Sequence, residues 1–336
     1  MANGKLLKQL FRSGTEGDFS GFRSAAKEVI AEERQKHHHL LANDLETILY
    51  GRPCEPSSPA IRQLIQSVPE DRERGMALIS VREPARCLED VVLSRDNTAL
   101  INEVLREHNR QEVLAAHGLR PSDRLLFCGP PGCGKTLTAE VIASELGRPL
   151  AIVRTDSVVS SFLGETAANL RKVFDFSAAH PMVVLLDEFD ALGKERDDTS
   201  EHGELRRVVN AVLQMLDAYQ GRSLIIAATN HEGMLDSAIW RRFEEVLFLK
   251  PPTDAQLCRL LGVKLRGVRY EFDLEELVGR GWFKGDSHAD VERVLRRAVK
   301  EMVLQGNEMR LCVKHLETAM RREGARKRRA AGRQGL

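Results

Sequence analysis

Long apolar runs are missing from this sequence. None approaches the roughly 20 residues needed to cross a bilayer, so no membrane contact is expected. The opening residues Met1-Ala2-Asn3-Gly4-Lys5 lack the apolar centre of a secretory leader, and the expected location is the cytoplasm. Cysteine is sparse and unpatterned: Cys54, Cys87, Cys128, Cys133, Cys258 and Cys312 show no metal-ligand spacing, and reduced thiols are the expectation. An excess of one charge is missing as well. The formal net charge is +1, which gives no global field directed at nucleic acid or membrane. No internal repeat is found, and residues 1–75 carry no lectin, zinc-finger or membrane-anchor signature.

What is present suits a globular protein of two or three domains: 336 residues, 42% hydrophobic and 29% charged, enough to bury a sizeable core. Residues 5–50 read as helical, with Phe22, Ala26, Val29, Ile30, Leu40, Leu41, Leu45, Ile48 and Leu49 near a 3.6-residue repeat. His37, His38 and His39 lie there, but consecutive helical residues point about 100° apart and cannot converge on one ion. Pro53, Pro56, Pro59 and Pro69 then disfavour regular structure and predict a linker. An extended segment at 76–81 and a helix over 97–117, closed by Gly118, come next. Strands near 124–128, 149–153, 182–187 and 223–228 alternate with helices after Lys135, near 166–179 and over 203–219. Such alternation predicts a parallel sheet covered on both faces. From Thr253 onward only helices are expected, and the end, with Arg321, Arg322, Arg326, Lys327, Arg328, Arg329 and Arg333, reads as a frayed, solvated tail.

Chemistry enters at Gly129-Pro130-Pro131-Gly132-Cys133-Gly134-Lys135-Thr136, which follows the apolar run Leu125-Leu126-Phe127 and precedes a helix-like stretch. Glycines let backbone N–H groups approach a polyphosphate, and the following helix adds unpaired N–H donors and its positive dipole end. Lys135 is expected to reach the β and γ phosphates, and Thr136 to offer its hydroxyl to Mg²⁺, an ion that prefers oxygen ligands. Met182-Val183-Val184-Leu185-Leu186 reads as a buried strand that delivers Asp187, fifty-two positions beyond Lys135, and Glu188 at its carboxyl end, where open parallel sheets bind ligands. Asp187 is placed to hold the magnesium shell and Glu188 to polarise an attacking water, the positioning that phosphoryl transfer requires. Read alone, the acidic pair is as well explained by a solvated turn.

Together the two segments resemble the AAA family of P-loop ATPases over roughly residues 85–300. The resemblance implies an α/β fold, with a doubly wound parallel-sheet P-loop core (76–250), a C-terminal helical lid (251–320) and a basic tail (321–336). It also implies an N-terminal helical segment that recruits partners (1–52), joined through a linker (53–75). Leu224-Ile225-Ile226-Ala227-Ala228-Thr229-Asn230 resembles the family's first sensor strand, which puts Asn230 beside the terminal phosphate. Leu235 to Phe243 resembles the segment of arginine fingers, so Arg241 and Arg242 would act in a neighbouring subunit; an ion pair with Glu244 or Glu245 is the alternative. Ser161-Phe162-Leu163-Gly164-Glu165-Thr166 resembles the pore loop, in which Phe162 and Leu163 grip a polypeptide; burial of Phe162 in a core is the alternative. Residues Gly203 to Asn210 resemble the segment linking pore and neighbour. Gly285-Asp286-Ser287-His288-Ala289-Asp290 resembles the lid element near adenine, with Gly285 and Ala289 permitting close approach and His288 in place of a small residue. No lid arginine acting in cis is evident; Arg293 is a distant candidate. The implied activity is Mg²⁺-dependent ATP hydrolysis in a ring, hexameric by resemblance, that remodels, unfolds or disassembles an unidentified protein. An ATP-dependent switch governing an effector such as a protease, and a nucleic-acid motor or loader, are the alternatives.

Overall fold

The computed structural model describes residues 4–16, 19–35, 45, 59–71, 75–158, 163–189, 211–231, 233, 237–305 and 310–331. Strands β1 Ile79–Arg82, β2 Arg124–Cys128, β3 Leu150–Val153, β4 Val183–Leu186, β5 Leu224–Thr229 and β6 Glu245–Phe248 form one sheet. Their spatial order is β1-β3-β4-β5-β2-β6. All pairings are parallel except that of β1, which runs antiparallel to β3 in the register Ile79↔Val153. The expected parallel sheet therefore carries one antiparallel edge, a common addition to doubly wound sheets.

The inner strands β3, β4, β5 and β2 read as near-continuous apolar runs because both their faces are buried. Leu126, Val184, Leu186, Ile225 and Ala227 pack on one side, with Leu170, Val173 and Phe174 of helix Leu163–Ala179. Leu125, Phe127, Val183, Leu185, Leu224 and Ile226 pack on the other. There they meet Ile101 and Val104 of helix Arg95–Asn109 and Ala139, Val141 and Ile142 of helix Lys135–Glu145. Full burial of one such Leu or Ile side chain contributes about 1.5–3 kcal/mol, against roughly 1–2 kcal/mol of backbone entropy per ordered residue. Large apolar side chains on both faces are what allow strands of four to six residues to persist here.

Several elements depart from the pattern. Two helices, Gly4–Glu16 and Phe19–Gln35, pack against each other at the start of the chain, and the three consecutive histidines lie outside the described residues. Helix Pro59–Gln66 stands inside the expected linker, with its proline at the first helical position, where a missing N–H costs nothing. The helix expected over 97–117 breaks at Arg110 into Arg95–Asn109 and Gln111–Ala116. Among the supposedly all-helical residues beyond Thr253, β7 Arg269–Tyr270 and β8 Arg310–Leu311 form a short parallel pair. Five of the six cysteines are free thiols, and Cys54 lies outside the described residues.

A third cluster belongs to the C-terminal helices: Leu257, Leu260 and Leu261 of Asp254–Lys264, Leu277 and Val278 of Leu274–Gly279, Val291, Val294 and Leu295 of His288–Gln305, and Leu316 and Ala319 of Val313–Ala331. The last of these helices replaces the expected frayed tail as far as Ala331, and several of its basic side chains are engaged in ion pairs within the fold.

His108 ties the end of helix Arg95–Asn109 to the approach of β2. Its Nε2 lies 2.9 Å from the Ser122 carbonyl and its Nδ1 3.3 Å from the Arg148 guanidinium, which fixes a neutral ring protonated at Nε2. Burial lowers its pKa from 6.5; the Ser122 carbonyl opposes that effect, and the Arg148 charge reinforces it. The unfolded chain thus binds a proton that the folded chain resists, so stability present above about pH 6.5 is lost as pH falls below it. The melting temperature is expected to drop between pH 7.5 and 5.5, and by less in His108→Gln; a scan of thermal unfolding against pH reads the difference.

Candidate functional site

Three adjacent strands, β4, β5 and β2, end at the same edge, and the residue following each carries chemistry. Asp187 follows β4, Asn230 follows β5 and Gly129 opens the loop after β2. Pairing of Leu186 with Ala227 and of Cys128 with Thr229 sets their relative heights. The loop is pressed onto the sheet: Gly129 N–H donates to the Thr229 carbonyl at 3.3 Å, and a Cβ at Gly129 would overlap the Leu249 carbonyl oxygen. Gly132 and Gly134 adopt φ values of 79° and 93°, and Gly134 caps the helix that begins at Lys135. Those left-handed turns aim successive N–H groups outward, as an anion cradle needs.

Lys135 is buried, and its ammonium donates to Gly129 O at 2.6 Å, Pro130 O at 3.2 Å and Asn230 Oδ1 at 2.7 Å. A buried cation requires such compensation. The hydroxyl of Thr136 donates to Asp187 Oδ2 at 2.9 Å, while Asp187 Oδ1 accepts the Glu188 N–H at 2.9 Å. One hydroxyl and one carboxylate side by side form an oxygen donor set that suits Mg²⁺, which completes its shell with water and phosphate oxygens. Glu188 has φ 53°, the single non-glycine residue with positive φ among those described. Such left-handed strain concentrates at sites where a side chain must be held in one place.

These groups line a cavity of about 320 Å³ bounded by Pro131 to Leu137, Asp187, Glu188 and Asn230 on the sheet side. Asp90, Val91 and Val92 form another wall, and Leu260, Lys264, His288, Ala289 and Glu292 close it from the helical side. The two halves touch directly: Ala289 N–H donates to the Gly132 carbonyl at 3.0 Å, and a Cβ on Gly132 would come within 2.7 Å of Ser287 Oγ. Ser287 and Asp290 exchange reciprocal hydrogen bonds at the start of helix His288–Gln305. Burial raises the Asp290 pKa, but the Ser287 hydroxyl and the Lys327 ammonium more than offset it and hold the carboxylate below its ordinary range. Burial lowers the His288 pKa, opposed by the Val92 backbone and aided by the Lys264 charge. Lys264 itself pairs with Glu292 at 2.6 Å.

Of the residues singled out in the sequence, Pro131, Gly132, Cys133, Gly134, Lys135, Thr136, Asp187, Glu188, Asn230 and, from the helical side, Ala289 therefore line one cavity, with Gly129 and Pro130 bound to it through Lys135. Gly285, with φ 80°, forms the turn leading into this element but does not line the cavity. Arg241 and Arg242 do not line it either. Arg242 lies 3.3 Å from Asp217 rather than pairing with Glu244, which bonds Arg124 at 2.6 Å. Trp240, just before the pair, stacks on Phe248 with ring centroids 6.2 Å apart. Phe162 and Gly203 to Asn210 lie outside the described residues; Leu163 opens helix Leu163–Ala179, and its side chain is likewise outside them. Arg293 is committed to Asp290 and Glu323. The cavity-lining Asp90 to Val92, Lys264 and Glu292 were not anticipated, because no local motif marks them.

A parallel sheet with a glycine loop and an acidic strand end beside a helical cover defines the P-loop nucleotide-binding class. Residues 125–251 match the ATPase family associated with various cellular activities (AAA). The chain is 42% identical, over 91% of both sequences, to an uncharacterized AAA family ATPase, y4kL, of Sinorhizobium fredii. It is 32% identical to ATP-dependent zinc metalloprotease FtsH 3 of Sphaerobacter thermophilus over 70% of this chain and 50% of that protein. A cell division cycle protein 48 homolog of Archaeoglobus fulgidus is 27% identical over 90% of this chain and 45% of that one. The chain thus spans about half the length of the last two relatives. It belongs to the AAA family of ATPases.

The contact between Gly132 and Ser287 makes a prediction. Gly132→Ala strains a left-handed backbone and pushes Ser287 away, so affinity for a fluorescent ATP analogue is expected to fall about tenfold or more. The two sheet-face cores are untouched, and circular dichroism should report an unchanged fold.

Proposed function

We propose that the chain hydrolyses MgATP at subunit interfaces of a ring, with six as the expected subunit number, and uses the cycle to remodel, unfold or disassemble a protein partner. The observation that carries the hydrolytic reading is the convergence of Lys135, Asn230, Thr136, Asp187 and Glu188 on one cavity. Loop N–H groups and Lys135 bind the phosphates; Thr136 and Asp187 hold Mg²⁺; Gly285 and Ala289 let the lid approach the adenosine. Bound Mg²⁺ neutralises charge on the phosphate oxygens. Glu188 orients and polarises the attacking water, and Asn230, joined to Lys135, responds to the terminal phosphate. Arg241 and Arg242 reach the neighbour's site and stabilise the charge that spreads in the transition state, a contribution of about 10³ to 10⁵ in rate. Their separation from the cavity of their own chain agrees with a role in trans.

Phe162 and Leu163 are the proposed grip on a polypeptide, and the paired N-terminal helices the proposed recruiting segment. Work on proteins is favoured by relatives whose names include a metalloprotease and, in Methanocaldococcus jannaschii, a putative 26S proteasome regulatory subunit homolog. The metalloprotease likeness also supports the second reading, a switch that controls an associated effector. A nucleic-acid role loses weight because Arg322, Arg326 and Lys327 are already paired with Glu301, Glu323 and Asp286.

Glu188→Gln is expected to keep ATP binding and lose at least about 100-fold in turnover, whereas Lys135→Ala loses binding. Equal turnover in Glu188→Gln and the parent chain would eliminate the mechanism. Mixing Arg242→Ala with Lys135→Ala subunits should restore part of the activity, since each supplies what the other lacks; no recovery at any ratio would argue against fingers in trans. Phe162→Ala should spare hydrolysis and abolish remodelling, which separates the two readings of the output.

A further inference from the structure

The basic C-terminal helix is tied to the nucleotide cavity by a chain of charges. Its Glu323 is almost fully buried, yet it meets Arg326 at 2.6 Å from its own helix and Arg293 at 2.7 Å and Arg297 at 3.3 Å from helix His288–Gln305. Burial raises its pKa, and the hydrogen bonds from Arg326 and Arg293 overcome that effect, so it remains a carboxylate. A buried charge with these partners resists sliding of one helix along the other, because any shift strands it without compensation. Lys327 lies four residues on, one helical turn away and on the same face. Its ammonium meets Asp286 Oδ1 at 2.6 Å and Asp290 Oδ2 at 3.4 Å.

Those two aspartates bracket Ser287, His288 and Ala289, the residues that contact the phosphate loop or line the cavity. The connection is continuous: Lys327 holds Asp290, Asp290 holds the Ser287 hydroxyl, Ser287 faces Gly132, and Ala289 N–H bonds the Gly132 carbonyl. The apolar cluster of the C-terminal helices holds those helices together with or without Lys327, so stability alone does not explain this arrangement.

We propose that Lys327 is a positioning residue for nucleotide binding: anchored by Glu323, it clamps the Asp286–Asp290 turn onto the phosphate loop and slows release of the bound nucleotide. The proposal rests on ATP binding at that loop, as argued above. Lys327 does not line the cavity, so it acts through the lid turn rather than on the substrate.

The clamp can be read without and with nucleotide. In Lys327→Met, amide hydrogen exchange at Ala289 should quicken roughly two- to fivefold, the scale of a half-exposed ion pair, while the melting temperature stays close to that of the parent. With a fluorescent ATP analogue, the dissociation rate and Kd should rise by a similar factor, with kcat at saturation nearly unchanged. Lys327→Arg should restore both readouts, Lys327→Glu should exceed Lys327→Met, and Arg322→Ala, which pairs with the remote Glu301, should leave both unchanged. Parent-like exchange at Ala289 and parent-like Kd in Lys327→Met would overturn the clamp. Failure of the parent chain to bind the analogue would instead remove the ATP reading, and the exchange result would still decide whether Lys327 holds the turn.

Discussion

Parallel pairing of β4, β5 and β2 is the constraint on which the site depends. Because the three strands are neighbours and point the same way, the residues after their last ladder positions emerge side by side. Asp187, Asn230 and the glycine loop need no long side chains to meet. The hydrogen bonds from Thr136 to Asp187 and from Lys135 to Asn230 span 51 and 95 residues of sequence, yet each follows from ladder register. The apolar layers on both faces set that register, since a one-residue slip would exchange the two faces of every strand. Chemistry at the edge and packing in the core are thus one problem solved once.

The cavity's second wall comes from a separate apolar cluster, joined to the sheet side among the described residues by Val92 and a few polar contacts. Such a division suits a site that must admit and release a ligand. Large buried areas hold each half in shape, while among the described residues the seam includes one backbone hydrogen bond, one glycine lacking a Cβ, the Arg266–Asp90 ion pair and Val92 packed into the helical cluster. Small free energies at such a seam change occupancy without changing either fold.

Much of the sheet side was legible in the sequence, because its signals are local: eight consecutive residues make the loop, and one apolar run ending in two acids makes the strand. The lid side was harder to read. Asp90 to Val92, Lys264 and Glu292 are ordinary residues whose meaning comes from contacts across 40 to 200 positions, and periodicity carries no trace of them. Lys327 was hidden in a run of basic residues that resembles a solvated tail; the signal for its true setting was Glu323, a lone acid among arginines. Pro59 misled in the opposite way, since proline breaks helices in their interior but begins them readily. Strand β6 went unnoticed because Glu245-Val246-Leu247-Phe248 is short and starts with a charge.

The stacking of Trp240 on Phe248 has an optical consequence. The chain contains only two tryptophans, and the second, Trp282, lies beneath the Arg280 guanidinium among the C-terminal helices. One indole therefore stands next to the arginine pair at the far edge of the sheet and the other in the helical cover. Subunits docking against Arg241 and Arg242 would perturb the emission of the first; motion of the cover would perturb the second. Each of the two regions thus has its own intrinsic fluorophore, and replacing either tryptophan by phenylalanine isolates the other's spectrum.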